Sequence, residues 1–159
     1  PVLLLAFLLM LRLGASYWNV LLALSLTTWI EICRLTRGQF LTLREKEFVE
    51  ASRAVGSRTP RIVFGQILPN ALAPIIVSVT LGVPRAIFAE AALSFLGVGI
   101  NPPTPSWGQM IGREGIANMT YFWHLALFPA LMIAFTMLGF TLVGDGLRDA
   151  LDPKMVEGK

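Results

Sequence analysis

Side chains equipped for chemistry are sparse in this chain and stand far apart. His124 and Cys33 are the lone members of their residue types. Arg85 and Glu90 interrupt a long apolar run, and Asp145, Asp149 and Asp152 sit near the end, interleaved with Arg148 and Lys154. Covalent or acid–base catalysis needs a nucleophile and a base within hydrogen-bond reach. Glu90, His124 and Asp145 instead belong to different ends of apolar segments, with no such pair at helical spacing. A single cysteine forms no intrachain disulfide, and no Cys/His cluster has metal-ligand spacing, so neither redox chemistry nor a zinc site is indicated. The interleaved basic residues make the three aspartates a solvated tail rather than a metal site. A G-x-x-x-x-G-K-[ST] phosphate loop is also missing, so the chain does not read as a nucleotide hydrolase. No cofactor, metal or nucleic-acid partner is expected.

The elements around these residues belong in a membrane. With 55% hydrophobic and 14% charged residues, the 159-residue chain has too little polar surface for an ordinary soluble globule. Pro1 to Leu11 is almost wholly apolar but shorter than the roughly 20 residues a bilayer core requires. It reads as the remaining end of a spanning helix, and the chain as the C-terminal part of something longer. The apolar run continues into another without a small-residue cleavage site, unlike a signal peptide. Arg12 to Asn19 reads as a turn, with Tyr17 and Trp18 suited to the lipid boundary. Tyr17 to Cys33 is the second expected span, Ala71 to Ile100 the third and Phe122 to Val143 the fourth. Pro84 is a candidate kink in the third. Arg34 to Arg61 is rich in Arg and Lys, which puts it on the cytoplasmic side together with the polar tail from Gly144. The proline-rich Gly99 to Gly115, with Arg113 its one basic residue, belongs on the other side. The expectation is one all-helical membrane domain over residues 1–159, a polytopic bundle of about four spans with the first incomplete.

The most polar long passage is "EFVEASRAVGSRTPRIVFGQILPNALAP", Glu47 to Pro74. Phe48, Ala51, Ser52 and Val55 fall at i, i+3, i+4 and i+7, which gives a helix one small, mostly apolar face. Gly56 stands where a helix ends in a left-handed cap, and Pro60 blocks simple continuation. A second helical run is expected from about Arg61 past Pro69 into the membrane. A short basic helix can rest on lipid headgroups or dock on another protein. Its small residues favour close approach by a protein surface.

This passage resembles the EAA loop of ABC importer permeases, in which Glu-Ala-Ala is followed by Gly and then by a hydrophobic-x-Leu-Pro ending. Glu50, Ala51, Gly56, Leu68 and Pro69 match in spacing, whereas Ser52 replaces the third motif residue and Gln66 occupies the hydrophobic slot. "RLTRGQFLTLREKEFVEASRAVG", "EAALSFLGVGINPPTPSWGQMI" and "GDGLRDALDPK" extend the likeness. Together they resemble the C-type permease subunit of dipeptide, oligopeptide and nickel importers, over roughly Trp29 to Lys154.

The resemblance implies a six-helix subunit in the cell membrane. Its partners would be a second related permease, two cytoplasmic ABC ATPases and an extracytoplasmic substrate-binding protein. It implies a coupling loop at 40–60 whose short helix sits in a groove of the ATPase. Phe48, Ala51 and Val55 would then form the docking face, Glu50 a polar contact or backbone cap and Gly56 the sharp turn, with Ser52, Leu68 and Pro69 completing the ATPase-coupling set. Pro84, Arg85 and Glu90 are candidates for the translocation path or a gate, because ionisable groups within a span usually face a bundle interior, a partner or water. Mutual neutralisation near the interface is the alternative for the two charges. Pro102, Pro103, Pro105 and Trp107 are candidates for docking the binding protein, or for a rigid loop packed on its own subunit. Gly108, Gly112 and Gly115 allow close helix packing. The functional alternatives to a permease are a membrane-embedded enzyme and a structural membrane anchor.

Overall fold

The computed structural model describes residues 2–151. Helices α1 (Val2–Leu13), α2 (Tyr17–Arg44), α3 (Glu47–Ala54), α4 (Thr59–Ile62), α5 (Leu68–Phe95), α6 (Trp107–Gln109) and α7 (His124–Leu151) follow in order. Wide π turns occupy Val63–Ile67 and Met110–Gly115, and no strand occurs among the described residues. The fold is all-α among the described residues. The described residues of Pro1–Trp29 and Leu81–Leu142 form one compact unit, and those of Ile30–Thr80 and Val143–Lys159 form another.

Within the first unit, Ala6 and Met10 of α1, Val20 and Ala23 of α2, and Leu93 and Ile100 share one buried cluster. Gly14 turns the chain between α1 and α2 with φ +84°, a left-handed conformation that suits glycine. The Asn19 amide then donates to the carbonyls of Leu13 (2.8 Å) and Gly14 (2.9 Å), closing the exposed end of α1. Buried Thr27 satisfies its hydroxyl on the Leu24 and Ala23 carbonyls, at 2.9 and 3.1 Å.

Close approach shapes the far part of this unit. A Cβ on Gly108 would overlap the Ala91 backbone, one on Gly112 would lie 2.5 Å from the Phe95 carbonyl oxygen, and one on Gly115 2.8 Å from the Ala126 Cβ. The three glycines therefore let the segment from Trp107 to Gly115 lie directly on backbone. Helix resumes only at Trp107, after Pro102, Pro103 and Pro105, with the Ser106 hydroxyl accepting from the Gln109 amide as a cap. The Pro102–Pro103 peptide bond is cis.

Several boundaries differ from the sequence reading, and the third span, expected to reach Ile100, ends its helix at Phe95, just before the left-handed Gly97. The segment expected to leave helix at Arg34 stays helical through Arg44, and Phe40 and Leu43, one turn apart, pack against the buried Val49, Ile62 and Ile67. α7 likewise continues beyond Val143 to Leu151. The run after Gly56 begins at Thr59 rather than Arg61, since Pro60 is tolerated in a helix's first turn. Asp152 and Lys154 lie outside the described residues.

Among the described residues, two helical runs are long and apolar enough to cross a membrane: Thr59–Phe95 and His124–Leu151. The 12 residues of α1 extend about 18 Å, short of a hydrocarbon core of about 30 Å. α2 has the length, but Asn19, Glu31, Arg34 and Arg37 make it less apolar. The four expected spans thus correspond to two that pass on length and composition, one short helix and one of mixed polarity. Apolar side chains along α7, among them Phe128, Phe135, Leu138 and Leu142, are exposed. Lipid or another subunit covers such surface in a membrane protein.

Candidate functional site

The second unit contains the polar passage. Glu47 and Glu50 lie in the first turn of α3 and Arg53 in its last, the arrangement that complements a helix dipole. Past the last helical residue, Ala54, the Gly56 amide donates to Arg53 O at 2.9 Å, and the φ of +79° at Gly56 turns the Ser57 amide onto Ser52 O at 3.0 Å. These bonds occupy carbonyls that the helix end would leave open.

α3 is held by one side. Val49 is wholly buried against Ile62 and Ile67, with Phe40 and Leu43 packed beside them. Five residues apart, Ile62 and Ile67 would point about 140° from each other on an α-helix. The π turn at Val63–Ile67 lies between them, and its i→i+5 bonding carries both onto the same cluster. Pro69 explains the position of this turn: its ring crowds the Gly65 carbonyl and it has no N–H to donate there. The Leu68 amide bonds instead to Val63 O, and the Asn70 side chain donates to Gln66 O at 2.7 Å.

Next to this apolar anchor is a polar one. The Ser52 hydroxyl donates to Gln66 Oε1 at 2.9 Å, and Gln66 Nε2 donates to Ser52 Oγ at 2.7 Å. The two positions that depart from the EAA pattern are thus each other's partners. Ser52 is half-buried at the edge of the face it shares with Phe48, Ala51 and Val55, with its hydroxyl on Gln66.

The rest of that face is open. Phe48, Glu50 and Ala51 are exposed, and Val55 is 81% exposed. A depression of about 430 Å³ adjoins it, lined by Val55, Gly56, Ser57, Arg58 and Arg61. Leu68 is half-buried at the start of α5 and Pro69 exposed. Val49 and Gln66, which the sequence reading did not assign to an anchor, fix α3 in place. Val49 stands beside Phe48 in the sequence, and spacing alone does not say which of the two is covered.

The remaining candidates lie in α5, elsewhere in the first unit, and on the part of α7 that belongs to the second. Pro84 is buried within an unbroken α5 and Arg85 is exposed. Half-buried Glu90 accepts from the Ser94 hydroxyl at 2.7 Å. Pro102, Pro103, Pro105 and Trp107 are exposed. Pro102, Asn101 and Thr104 face Ala15, Ser16, Tyr17 and Trp18 across a depression of about 530 Å³. His124 is exposed, with edge-on contacts to Phe122 and Trp123 at 6.0 and 6.1 Å between ring centroids. Asp145 and Asp149 are exposed on α7.

A short helix with one side pinned and the other open precedes an apolar run long enough to cross a membrane. The family of binding-protein-dependent transport system inner membrane components matches residues 1–157. The chain belongs to that family. It is therefore a membrane protein of helical permease type.

Its relatives are transport permeases. Over 98% of its length the chain is 48% identical to the oligopeptide transport system permease protein OppC of Bacillus subtilis, covering 50% of that protein. It is 45% identical to the dipeptide transport system permease protein DppC of the same organism, covering 48% of it. It is 43% identical to the glutathione transport system permease protein GsiD of Salmonella paratyphi A, covering 51%. The chain spans about half the length of these curated relatives.

Proposed function

We propose that this chain forms the coupling part of a permease subunit in an ATP-driven, binding-protein-dependent importer of peptides or peptide-like solutes. The observation that carries this reading is the two-sidedness of α3. Val49 and Ser52 tie it to the structure that leads into α5, while Phe48, Ala51 and Val55 are left for a partner. Family membership supports a transport role, with energy supplied through contact with a separate ATPase.

The partners in this reading are a second related permease, two ABC ATPases and an extracytoplasmic binding protein. The coupling loop and the C-terminal segment are cytoplasmic in a multi-pass subunit of the cell membrane. Nucleotide state can move α3 only if the ATPase contacts it differently with and without ATP. Glu50 supplies a polar contact to the ATPase, and Gly56 the turn that presents it. On the extracytoplasmic side, the exposed prolines and Trp107 are the docking surface for the binding protein. The named relatives carry oligopeptides, dipeptides and glutathione, and a peptide bond is common to all three. This favours a peptide over the nickel chelate that the initial resemblance also included.

The test uses the full-length permease assembled with its partners in liposomes. Glu50→Ala and Gly56→Val are expected to weaken ATPase association and transport-coupled hydrolysis. Unchanged association and coupling in both variants would overturn the reading. Mass spectrometry of the ligand retained by the purified binding protein identifies the solute, and a non-peptide ligand would remove the substrate assignment.

A further inference from the structure

Resting on the reading above, we infer that the reciprocal Ser52–Gln66 hydrogen bonds are a latch that fixes α3 relative to the π turn entering α5, making both side chains positioning residues for energy coupling. They are separated by 14 residues and by the Gly56 turn, yet form bonds of 2.9 and 2.7 Å between half-buried side chains. The apolar cluster of Val49, Ile62 and Ile67 on the same side supplies burial, which is largely non-directional. Such a contact resists separation more than rotation. Two hydrogen bonds between one hydroxyl and one planar amide add the missing constraint, because both weaken steeply as alignment is lost.

The place of the latch gives it mechanical value. Gln66 lies inside the π turn, where Pro69 has already removed a backbone bond and the helix is least able to hold its own geometry. A push on the open face of α3 must cross this weak point to reach α5. With the latch closed, α3 and the π turn move together. With it open, α3 can swing about Gly56 and spend the displacement locally.

Either single truncation breaks both bonds and leaves a half-buried polar partner. Exchanging both residues for apolar ones removes the demand, since loss of both partners costs less than loss of one. Ser52→Ala and Gln66→Leu are therefore expected each to lower solute transported per ATP hydrolysed by at least about threefold, since both bonds are lost. The double variant S52A/Q66L is expected to recover most of that ratio. Ser52→Thr, which keeps the hydroxyl, is expected to stay near the parent value.

The measurement is made on the full permease assembled with its partners in liposomes, following ATPase co-purification and transport per ATP together. Hydrogen exchange across Glu47–Ile67 in the detergent-purified permease gives a readout independent of transport. Faster exchange and lost coupling in both single variants, with retained ATPase binding and recovery in the double, support the latch. Additive losses in the double variant, or coupling unchanged in both singles while Glu50→Ala still weakens ATPase association, overturn it. Loss of association in none of these variants, Glu50→Ala included, instead overturns the functional reading on which it rests.

Discussion

The Ser94 hydroxyl donates to Glu90 Oε1 at 2.7 Å while accepting from the Ile100 amide at 2.9 Å. Ser94 is 3% exposed, and a Cβ at Gly99 would collide with its backbone, so little room exists for a replacement partner. Ser94→Ala therefore strands the Ile100 N–H in a buried site, at a cost of about 1–3 kcal/mol. Thermal unfolding of the purified permease in detergent should show the loss. Glu90→Gln keeps an acceptor oxygen and is expected to unfold near the parent temperature. That variant separates the carboxylate's charge from its bonding: a transport defect at unchanged stability would place the charge in the solute path, and intact transport would make Glu90 a support for Ser94.

Gly108 and Gly38 are both helical glycines with opposite surroundings. A Cβ at Gly108 meets the Ala91 backbone, which cannot rotate away as a side chain could, whereas nothing lies within 4 Å of one at Gly38. Gly108→Ala is expected to destabilise by about 1–3 kcal/mol through overpacking. Gly38→Ala should be neutral or stabilising by up to about 1 kcal/mol, because alanine loses less conformational freedom in a helix. Unfolding midpoints of the two variants, measured side by side, check the contrast. Equal midpoints would mean that the Trp107 to Gly115 segment is not packed on the end of α5.

The sequence carries the long-range design of the fold better than its joints. Apolar run length is enough to place the runs that become α5 and α7, because hydrocarbon leaves backbone polar groups no partner outside the helix. Gly56 was legible for a similar reason, since few residues tolerate its φ of +79°. The course of α2 past Arg34 was not, because long charged side chains can leave a helix surface while its backbone continues. Val49 and the Ser52–Gln66 pair were hidden by a different limit. A periodic pattern identifies a face but not which side of an eight-residue helix is covered, and that depends on Ile62, Ile67 and a π turn. Gln66 looked anomalous in its slot because its partner lies across a turn, where spacing rules do not reach.

Gly56 is constrained by backbone angle alone, since a Cβ there would meet nothing within 4 Å. Gly56→Ala should therefore cost about 1–2 kcal/mol, the usual penalty of the left-handed region for a side-chain-bearing residue. Gly56→Asn should cost less, because asparagine enters this region more readily, and Gly56→Val more. The order Gly, Asn, Ala, Val in unfolding temperature checks this. ATPase association is expected to fall in the same order if the turn presents α3 to its partner.

Val49 and Val55 are chemically identical and stand six positions apart, one wholly buried and the other 81% exposed. Truncating Val49 to alanine removes methyl groups from the cluster with Ile62 and Ile67, and burial of a valine side chain is worth about 1.5–3 kcal/mol. Part of that is expected to be lost in Val49→Ala, loosening α3 and lowering the unfolding temperature. Val55→Ala removes atoms that touch solvent in this chain, so its stability should match the parent within about 0.5 kcal/mol. Its effect should appear instead in ATPase binding, where loss of a contact side chain raises the dissociation rate more than it slows association. Surface plasmon resonance between the ATPase and the permease in nanodiscs reads both rates. If Val55→Ala dissociates at the parent rate while Phe48→Ala does too, the open face of α3 is not the docking surface; if only Val49→Ala weakens binding, α3 contributes through its fixed position and not through that face.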